Sequence, residues 1–160
     1  MEAREQSEPA VKRTTVQKKS DREVVVTRMF DAPARIVFEA WSKPELFRKW
    51  WVPKSMGMTL RSCEMDVRTG GTYRLTFGND VAFFGRYIEV TPPSRIVWTN
   101  EEAGENSSVT TVTFEEKDGR TLLVMSEVYP SKEAFEAAGG AEDAAQETFA
   151  QLEELLATLV

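Results

Sequence analysis

The sequence predicts an α+β domain in which a curled antiparallel sheet of about seven strands holds a long C-terminal helix. Three observations carry this prediction. Six segments with a two-residue apolar period follow one another between residues 57 and 129, the connections between them are short, and residues 141–159 carry a continuous apolar stripe. Short connections favour antiparallel pairing of consecutive strands, and a twisted sheet with this many strands curls. The helix has the length to fill the concave side.

Turn-forming residues set the boundaries of the predicted strands. A β-branched run predicts the first strand over residues 22–30. The others are predicted at residues 57–67, 71–78, 80–91, 94–101, 107–117 and 120–129. Glycine, proline, asparagine and aspartate separate them, as at Gly70-Gly71, Pro92-Pro93 and Asp118-Gly119. We therefore expect a long meander and not a parallel sheet.

Two short helices are predicted after the first strand. Pro33 suits the first position of a helix, whose apolar face comes from the pairs Ile36/Ala40 and Val37/Trp41. A second helix follows Pro44 and ends at Trp51. The long last helix carries a stripe whose members step by four, three, four and three residues: Ala145, Phe149, Leu152, Leu156 and Leu159.

The composition favours a single domain. Of 160 residues, 41% are hydrophobic and 29% are charged, which suits one substantial core. Residues 21–160 are predicted to form this domain, and residues 1–20, with almost no large apolar side chains, a disordered tail. The N-terminus shows no hydrophobic segment, and no apolar run approaches the ~20 residues of a membrane helix. We therefore expect a cytoplasmic protein with no membrane partner.

The sequence contains no histidine, which removes most zinc sites and every catalytic triad that uses imidazole. No catalytic residue, metal or cofactor is predicted. The single cysteine, Cys63, falls in the apolar alternation of a strand and is expected to be a buried, inert thiol. The net charge is −6, with +2 in the tail and −8 elsewhere, so nucleic acid is not an expected partner.

Four motifs resemble those of a known family. They are Phe30-Asp31-Ala32-Pro33 through Trp41, Pro44 through Trp51-Val52-Pro53, Gly70-Gly71-Thr72-Tyr73-Arg74, and Gly85 through Trp98. Over roughly residues 22–159 the chain resembles the START-like (SRPBCC) superfamily, and within it the Aha-type branch, the homologues of the activator of the heat-shock chaperone ATPase. The resemblance implies the helix-grip fold, a curled sheet around a long helix.

The same resemblance implies a function. A domain of this kind is expected to bind a hydrophobic or aromatic small molecule between the sheet and the C-terminal helix, without catalysis. Two alternatives stay open: an enzyme of cyclase, aromatase or hydrolase type in the same cavity, and a chaperone cofactor. The protein is expected to be a monomer or a homodimer, because an exposed edge strand at residues 22–30 or 57–67 is able to pair across a dimer.

The candidate ligand-binding residues are those predicted to face the concave side of the sheet. Tyr73, Leu75 and Phe77 alternate with polar residues and should share one face. Their predicted companions on other strands and on the long helix are Phe84, Trp98, Val112, Phe114, Leu123, Met125 and Phe149. Plain core packing is the alternative for each of them, because both roles select the same residue types.

Three further candidates are less regular. Adjacent residues on a helix point about 100° apart, so the two indoles do not share a face. Trp50 is predicted to pack in the core, and Trp51 either anchors the helix or covers a cavity mouth. Arg86 and Glu127 are polar residues within apolar strands. If both face inward they pair or orient a polar group of the ligand, and a buried Glu127 is available as an acid or base. If they face outward, they are ordinary solvated residues.

Overall fold

The computed structural model describes residues 14–78, 81–138 and 141–160, with the backbone alone for residues 141–143. Its strands and helices in chain order are β1 (Thr15–Lys18), β2 (Glu23–Phe30), α1 (Ala34–Ser42), α2 (Pro44–Phe47), β3 (Leu60–Met65), β4 (Thr72–Phe77), β5 (Ala82–Thr91), β6 (Arg95–Asn100), β7 (Ser108–Lys117), β8 (Arg120–Val128), α3 (Lys132–Ala138) and α4 (Ala141–Ala157). This element order confirms the predicted α+β helix-grip fold.

The strands form one open antiparallel sheet in the order β1-β2-β8-β7-β6-β5-β4-β3. The meander from β3 to β8 is the predicted one, and β2 returns from the start of the chain to pair along β8. Register shifts interrupt the β3–β4 pairing after Leu60 and the β5–β6 pairing after Tyr87. Irregularities of this kind bend a strand and increase its twist, so they help the sheet to curl around its concave face.

The first strand was not predicted. Residues 1–20 were expected to be a disordered tail, but Thr15–Lys18 pair with β2, with Val16 opposite Val26. Val16 also packs against the core. This segment has one apolar residue in four, which is too short a pattern to indicate a strand. Its hydrogen bonds are made with β2, which comes beside it only in the folded protein. The sheet therefore has eight strands, and β1 covers the edge of β2. Residues 1–13 lie outside the described part of the chain.

The hairpin between β7 and β8 follows its sequence closely. Lys117 pairs with Arg120, and the two residues between them, Asp118 and Gly119, have φ angles of 53° and 79°. Two central residues with positive φ make a turn whose twist matches that of the flanking strands. The predicted turn is therefore confirmed here. The sequence also predicts a turn at Gly78-Asn79-Asp80 and a helix break at Gly139-Gly140. Residues 79–80 and 139–140 lie outside the described part of the chain.

Helix α4 fills one part of the concave face. The predicted stripe is confirmed, since Phe149, Leu152 and Leu156 are buried while Ala145 and Leu159 pack against the core. The helix lies against β2 and α1. The half of the concave face formed by β3 to β6 is left for other segments to cover. Within the described ranges, no helix is both long and apolar enough to cross a membrane.

Candidate ligand-binding site

A small cavity lies between the concave face of β3 to β6 and the aromatic residues of α1, α2 and the turn after α2. Its volume is about 40 Å³, room for roughly three water molecules. Its walls are Trp41, Phe47, Trp51, Met65, Tyr73, Leu75, Phe83, Tyr87, Ile96, Trp98 and Asn100. Aromatic and aliphatic side chains thus form most of the wall, as in the binding sites of apolar small molecules.

The cavity is not where the sequence predicted it. The space between the sheet and α4 is filled by the helix, because Phe149, Leu152 and Leu156 are at most 1% exposed. The Phe149 ring meets the Phe30 ring edge-on, with their centroids 5.7 Å apart. Among the described residues, the lining of the cavity includes none from α4. An apolar stripe shows that a helix covers something, but not which half of a sheet it covers.

Helix α4 instead positions the cover of the cavity. We call residues 50–55 the tryptophan segment. Gln151, which is buried on α4, donates from Nε2 to the carbonyl oxygens of Trp50 at 2.8 Å and Val52 at 2.9 Å. Its Oε1 accepts from the Lys54 N–H at 2.9 Å. One side chain therefore satisfies three backbone groups of an irregular stretch and fixes its path over the sheet.

The preceding turn of α4 holds the end of the same segment. The Glu147 carboxylate accepts from the Ser55 backbone N–H at 2.9 Å and from the Ser55 hydroxyl at 2.5 Å. These bonds to Ser55 lower the pKa of Glu147. Thr148 adds a longer bond, 3.4 Å, to the Trp51 carbonyl oxygen. These hydrogen bonds from α4 hold the backbone of the tryptophan segment along its length. The Trp51 side chain takes no part in them.

The two adjacent tryptophans have different surroundings. Trp50 is fully buried, and its Nε1 donates to the Ala40 carbonyl oxygen at 2.9 Å. This confirms the prediction that Trp50 packs in the core. Trp51 is half-buried and stacks on Phe47, with ring centroids 4.9 Å apart and planes 26° apart. Its other side borders the cavity.

Replacement of each indole by phenylalanine should therefore have different effects. Trp50→Phe is expected to lower the free energy of unfolding by about 2 kcal/mol, because it removes buried volume and leaves the Ala40 carbonyl unpaired. Trp51→Phe is expected to lower it by less than about 1 kcal/mol, because the ring keeps its stacking partner. Urea unfolding of the two variants checks this, and equal losses would contradict the assignment.

The predicted ligand-binding residues divide into two groups on the concave face. Trp51, Tyr73, Leu75 and Trp98 line the cavity. Six more belong to the core cluster or pack against it, outside the cavity wall: Phe77, Val112, Phe114, Leu123, Met125 and Phe149. The alternation of Tyr73, Leu75 and Phe77 toward the interior is confirmed by their burial. Strand periodicity identifies this face, but it does not separate the part under the helices from the part beside the cavity.

Phe84 lies on the opposite face of the sheet from the cavity. Tyr73 stands opposite Gly85 and Leu75 opposite Phe83, so Phe83 faces inward and Phe84 outward. There the Arg74 guanidinium lies 5.5 Å from the centroid of the Phe84 ring. The prediction placed the wrong one of two adjacent phenylalanines on the concave face. The turn before β5 determines which of the two phenylalanines points to the concave face. Because the two adjacent residues are identical, the sequence pattern alone does not distinguish them.

Arg86 also points outward, so its predicted place beside the ligand is corrected as well. Its Nε lies 2.7 Å from Glu101 Oε2, and both groups are partly solvated. The Thr99 hydroxyl donates to the same carboxylate oxygen at 2.6 Å. The Thr99 hydroxyl and then the Arg86 guanidinium lower the pKa of Glu101. Arg86 and Glu127 therefore do not pair.

Glu127 faces inward but does not line the cavity. Its carboxylate accepts from the Ser108 hydroxyl at 2.6 Å. Burial raises the pKa of Glu127, and hydrogen bonds with Ser108 and Tyr129 partly oppose that rise. Asn100, on the cavity wall, donates from Nδ2 to the Ser108 oxygen at 3.0 Å and accepts at Oδ1 from Trp98 Nε1 at 3.1 Å. A chain of hydrogen bonds therefore connects Glu127 with the cavity wall.

The raised pKa of Glu127 has a consequence for stability. The native state holds the carboxyl proton more tightly than the unfolded chain, so the stability that this group contributes at low pH is lost as pH rises through its native pKa. Glu127→Gln removes the titration. The stability of the variant relative to the wild type should increase as pH rises from about 4, the usual pKa of glutamate, through the native pKa of Glu127, measured by urea unfolding. Glu115→Gln, exposed on β7, is the control, and a pH-independent difference for Glu127→Gln would contradict the prediction.

Within the described part of the chain, the contacts of the Cys63 sulfur include no base that would activate it as a nucleophile. Cys63 is half-buried on β3, with its sulfur 3.4 Å from Met65 Sδ and 3.9 Å from the Pro44 carbonyl oxygen. Burial raises the pKa of its thiol, and Arg48 opposes that rise. A raised pKa keeps the thiol protonated and unreactive at neutral pH.

Sequence reasoning missed several residues of the cavity wall: Trp41, Phe47, Met65, Phe83, Tyr87, Ile96 and Asn100. Two of them carried a usable signal. Tyr87 lies two residues after Gly85 on β5, and Gly85 pairs with Tyr73 on β4. Tyr87 and Tyr73 therefore lie on the same face of the sheet. Asn100 lies two residues after Trp98, so the two side chains share a face. For Trp41 and Phe47, the helical pattern predicted only burial.

Comparison with known proteins identifies the family. The sequence model of the family described as "Activator of Hsp90 ATPase homolog 1-like protein" matches residues 31–157. No curated protein matches the chain significantly. Solved structures resemble it in fold. A Rhodobacter sphaeroides protein is 23% identical with a TM-score of 0.80, covering 91% of this chain and 99% of that one.

Two further structures extend this likeness. A Nitrosomonas europaea protein is 22% identical with a TM-score of 0.79, covering 88% of this chain and 97% of that one. A Staphylococcus epidermidis protein is 26% identical with a TM-score of 0.75, covering 91% and 95% respectively. Because the family model spans most of the chain and the fold agrees, the protein belongs to the family of activator of Hsp90 ATPase homolog 1-like proteins.

Proposed function

We propose that this domain binds an apolar small molecule, without catalysis, in the cavity beneath Trp51. The family and its START-like fold support a ligand-binding or co-chaperone-type domain. The observation that carries the finer proposal is an aromatic cavity that the core does not fill and that reaches the surface at Phe83, which is 38% exposed. Tight packing is the rule in protein interiors, so an unfilled aromatic space beside solvent favours a binding role.

A ligand needs more room than the cavity offers. Its volume of about 40 Å³ is far below the ~300 Å³ at which small-molecule pockets begin. Trp51 is the side chain best placed to move, because it is half-buried while α4 holds the backbone of its segment. Rotation of the Trp51 and Phe83 side chains would open the mouth without unfolding the tryptophan segment.

Titration with α-methylstyrene, followed by backbone amide NMR, tests this proposal. The wild type should show shifts for residues of β4, β5 and the tryptophan segment. Leu75→Phe, which fills the cavity, should weaken binding at least about tenfold. Leu122→Phe, a half-buried leucine outside the cavity on β8, should bind as the wild type does. Equal binding by both variants, or no binding by the wild type, would refute the proposal.

The enzyme alternative receives less support from the geometry. It needs Glu127, Arg86 or Tyr73 in the cavity, where positioning and one acid or base group suffice for catalysis. Arg86 is on the other face, and Glu127 reaches the wall only through Ser108 and Asn100. The hydroxyl of Tyr73 donates to the Thr99 carbonyl oxygen at 2.8 Å, and burial raises its pKa, so it is a poor base.

A co-chaperone role is the second candidate, favoured by the description of the family. Adding the purified protein to a purified heat-shock chaperone of the Hsp90 class and measuring its ATPase rate tests this role directly. A severalfold acceleration would support it. An unchanged rate, with no complex in analytical ultracentrifugation, would remove it and leave ligand binding as the proposal.

A further inference from the structure

One cavity residue points to the chemical class of the ligand, an inference that rests on the proposed function. We propose that the molecule bound beneath Trp51 carries a neutral hydrogen-bond acceptor, such as a ketone or ester oxygen, which receives the indole N–H of Trp41. The ligand would therefore be an apolar compound with a carbonyl group and not a plain hydrocarbon.

Trp41 has an unused donor at the cavity wall. Its side chain is 2% exposed, and within the described part of the chain its Nε1 has no hydrogen-bond partner. Two other indoles of the same cluster are satisfied, since Trp50 Nε1 donates to Ala40 at 2.9 Å and Trp98 Nε1 donates to Asn100 at 3.1 Å. Buried N–H groups without a partner are rare in native proteins, so this one should receive its partner from a molecule in the cavity, and we infer that the ligand supplies it.

Among the described residues, no oxygen accepts from Trp41 Nε1, and aromatic rings surround the indole. The rings within contact distance belong to Phe47, Trp50, Trp51, Trp98, Phe114 and Phe149. An aromatic face receives an N–H only weakly compared with a carbonyl oxygen. Trp41 lines the cavity together with Phe47, Trp51 and Trp98. A ligand in the cavity therefore lies against the Trp41 indole, and we infer that it brings the strong acceptor to Nε1.

The amide and one hydroxyl on the wall are already engaged. Asn100 Oδ1 lies within hydrogen-bond distance of Trp98 Nε1 and the Tyr73 hydroxyl, and its Nδ2 donates to Ser108 and Thr110. The Tyr73 hydroxyl has a single proton, and its shorter bond is to the Thr99 carbonyl oxygen. Trp41 is therefore a donor that a ligand can use without breaking an existing bond.

The lining also limits the charge of the acceptor. Among the described residues, the cavity wall includes no lysine or arginine. Burying a carboxylate or phosphate without a cation beside it is strongly unfavourable. A neutral oxygen suits a single indole donor, so we expect ketones, esters and amides on an apolar body and not fatty acids or phosphorylated compounds.

A matched pair of small molecules tests the inference. Acetophenone and α-methylstyrene have the same shape, and a carbonyl oxygen in one replaces a methylene group in the other. The wild type should bind acetophenone about five- to tenfold more tightly, the value of one neutral hydrogen bond. Trp41→Phe should abolish this preference. Trp50→Phe, which removes an indole outside the cavity wall whose N–H is already engaged by Ala40, should keep it.

Indole NMR tests the same inference without a substitution at Trp41. The chain has four tryptophans, so the spectrum shows few indole N–H signals, which the Trp50→Phe, Trp51→Phe and Trp98→Phe variants assign. Acetophenone should move the Trp41 N–H proton downfield in the wild type, and α-methylstyrene should not. This measurement decides the matter even if Trp41→Phe does not fold.

The outcomes separate the two proposals. If neither compound binds near the cavity, the proposed function fails and the inference fails with it. If both bind equally and the Trp41 signal responds alike to both, apolar ligand binding stands but the acceptor inference is overturned. That second result would also follow if Trp41 donates only to a trapped water molecule.

Discussion

Replacing Gln151 with alanine is expected to lower the free energy of unfolding by about 3 kcal/mol. The substitution leaves three backbone groups of the tryptophan segment without partners, the carbonyls of Trp50 and Val52 and the N–H of Lys54. Each unpaired group in a buried or half-buried place costs about 1 kcal/mol or more. Gln146→Ala, on the exposed side of the same helix, should change stability by less than about 0.5 kcal/mol.

A conservative variant separates the hydrogen bonds from the packing of Gln151. Gln151→Glu keeps the shape and the bond from the Lys54 N–H, but an ionised carboxylate is unable to donate to the two carbonyl oxygens. It should be nearly as destabilising as alanine at neutral pH. Urea unfolding of Gln146→Ala, Gln151→Ala and Gln151→Glu makes the comparison. If Gln151→Ala lowers the free energy of unfolding by less than about 1 kcal/mol, the Gln151 hydrogen bonds do not hold the tryptophan segment.

Replacing Gly85 with alanine is expected to lower the free energy of unfolding by at least about 3 kcal/mol. A Cβ at this position would lie 1.9 Å from the Thr99 carbonyl oxygen and 2.9 Å from the Thr99 hydroxyl oxygen. The Thr99 carbonyl is unable to shift easily, because it accepts a hydrogen bond from the Tyr73 hydroxyl at 2.8 Å. The substitution must therefore force β5 and β6 apart beside the cavity.

Gly78 is the matched control for Gly85. It lies at the end of β4, and a Cβ there would meet nothing within 4 Å. Gly78→Ala should change stability by less than about 1 kcal/mol. Thermal unfolding and amide NMR check both variants, with the largest shifts for Gly85→Ala expected in β5 and β6. If both glycines tolerate alanine equally, the close approach of Thr99 is not a constraint on the fold.

Local patterns predicted the elements of the fold because their causes are local. The strand alternation at Tyr73 and Leu75, the Asp118-Gly119 turn and the stripe on α4 depend on residues close in sequence, and each is observed. The strand at Thr15–Lys18 was missed, because its hydrogen bonds come from β2 and not from any pattern of its own.

The site was predicted only in part, because it depends on contacts between distant segments. Trp51, Tyr73, Leu75 and Trp98 were placed on the right face, and they line the cavity. Nothing in the sequence indicates that Gln151 bonds to backbone groups about a hundred residues away, or that α4 covers the β2 side of the sheet. Periodicity identifies which side of an element is buried, but the fold decides what lies opposite.

The most direct test of the central claim locates a bound apolar molecule within the domain. Intermolecular nuclear Overhauser effects between α-methylstyrene and the wild-type protein should involve Trp51, Tyr73 and Leu75, the residues that line the cavity. Effects to Phe149 and Leu152 of α4 should be absent, because those side chains are already packed. Contacts with the α4 side chains, or no binding at millimolar concentration, would contradict the account.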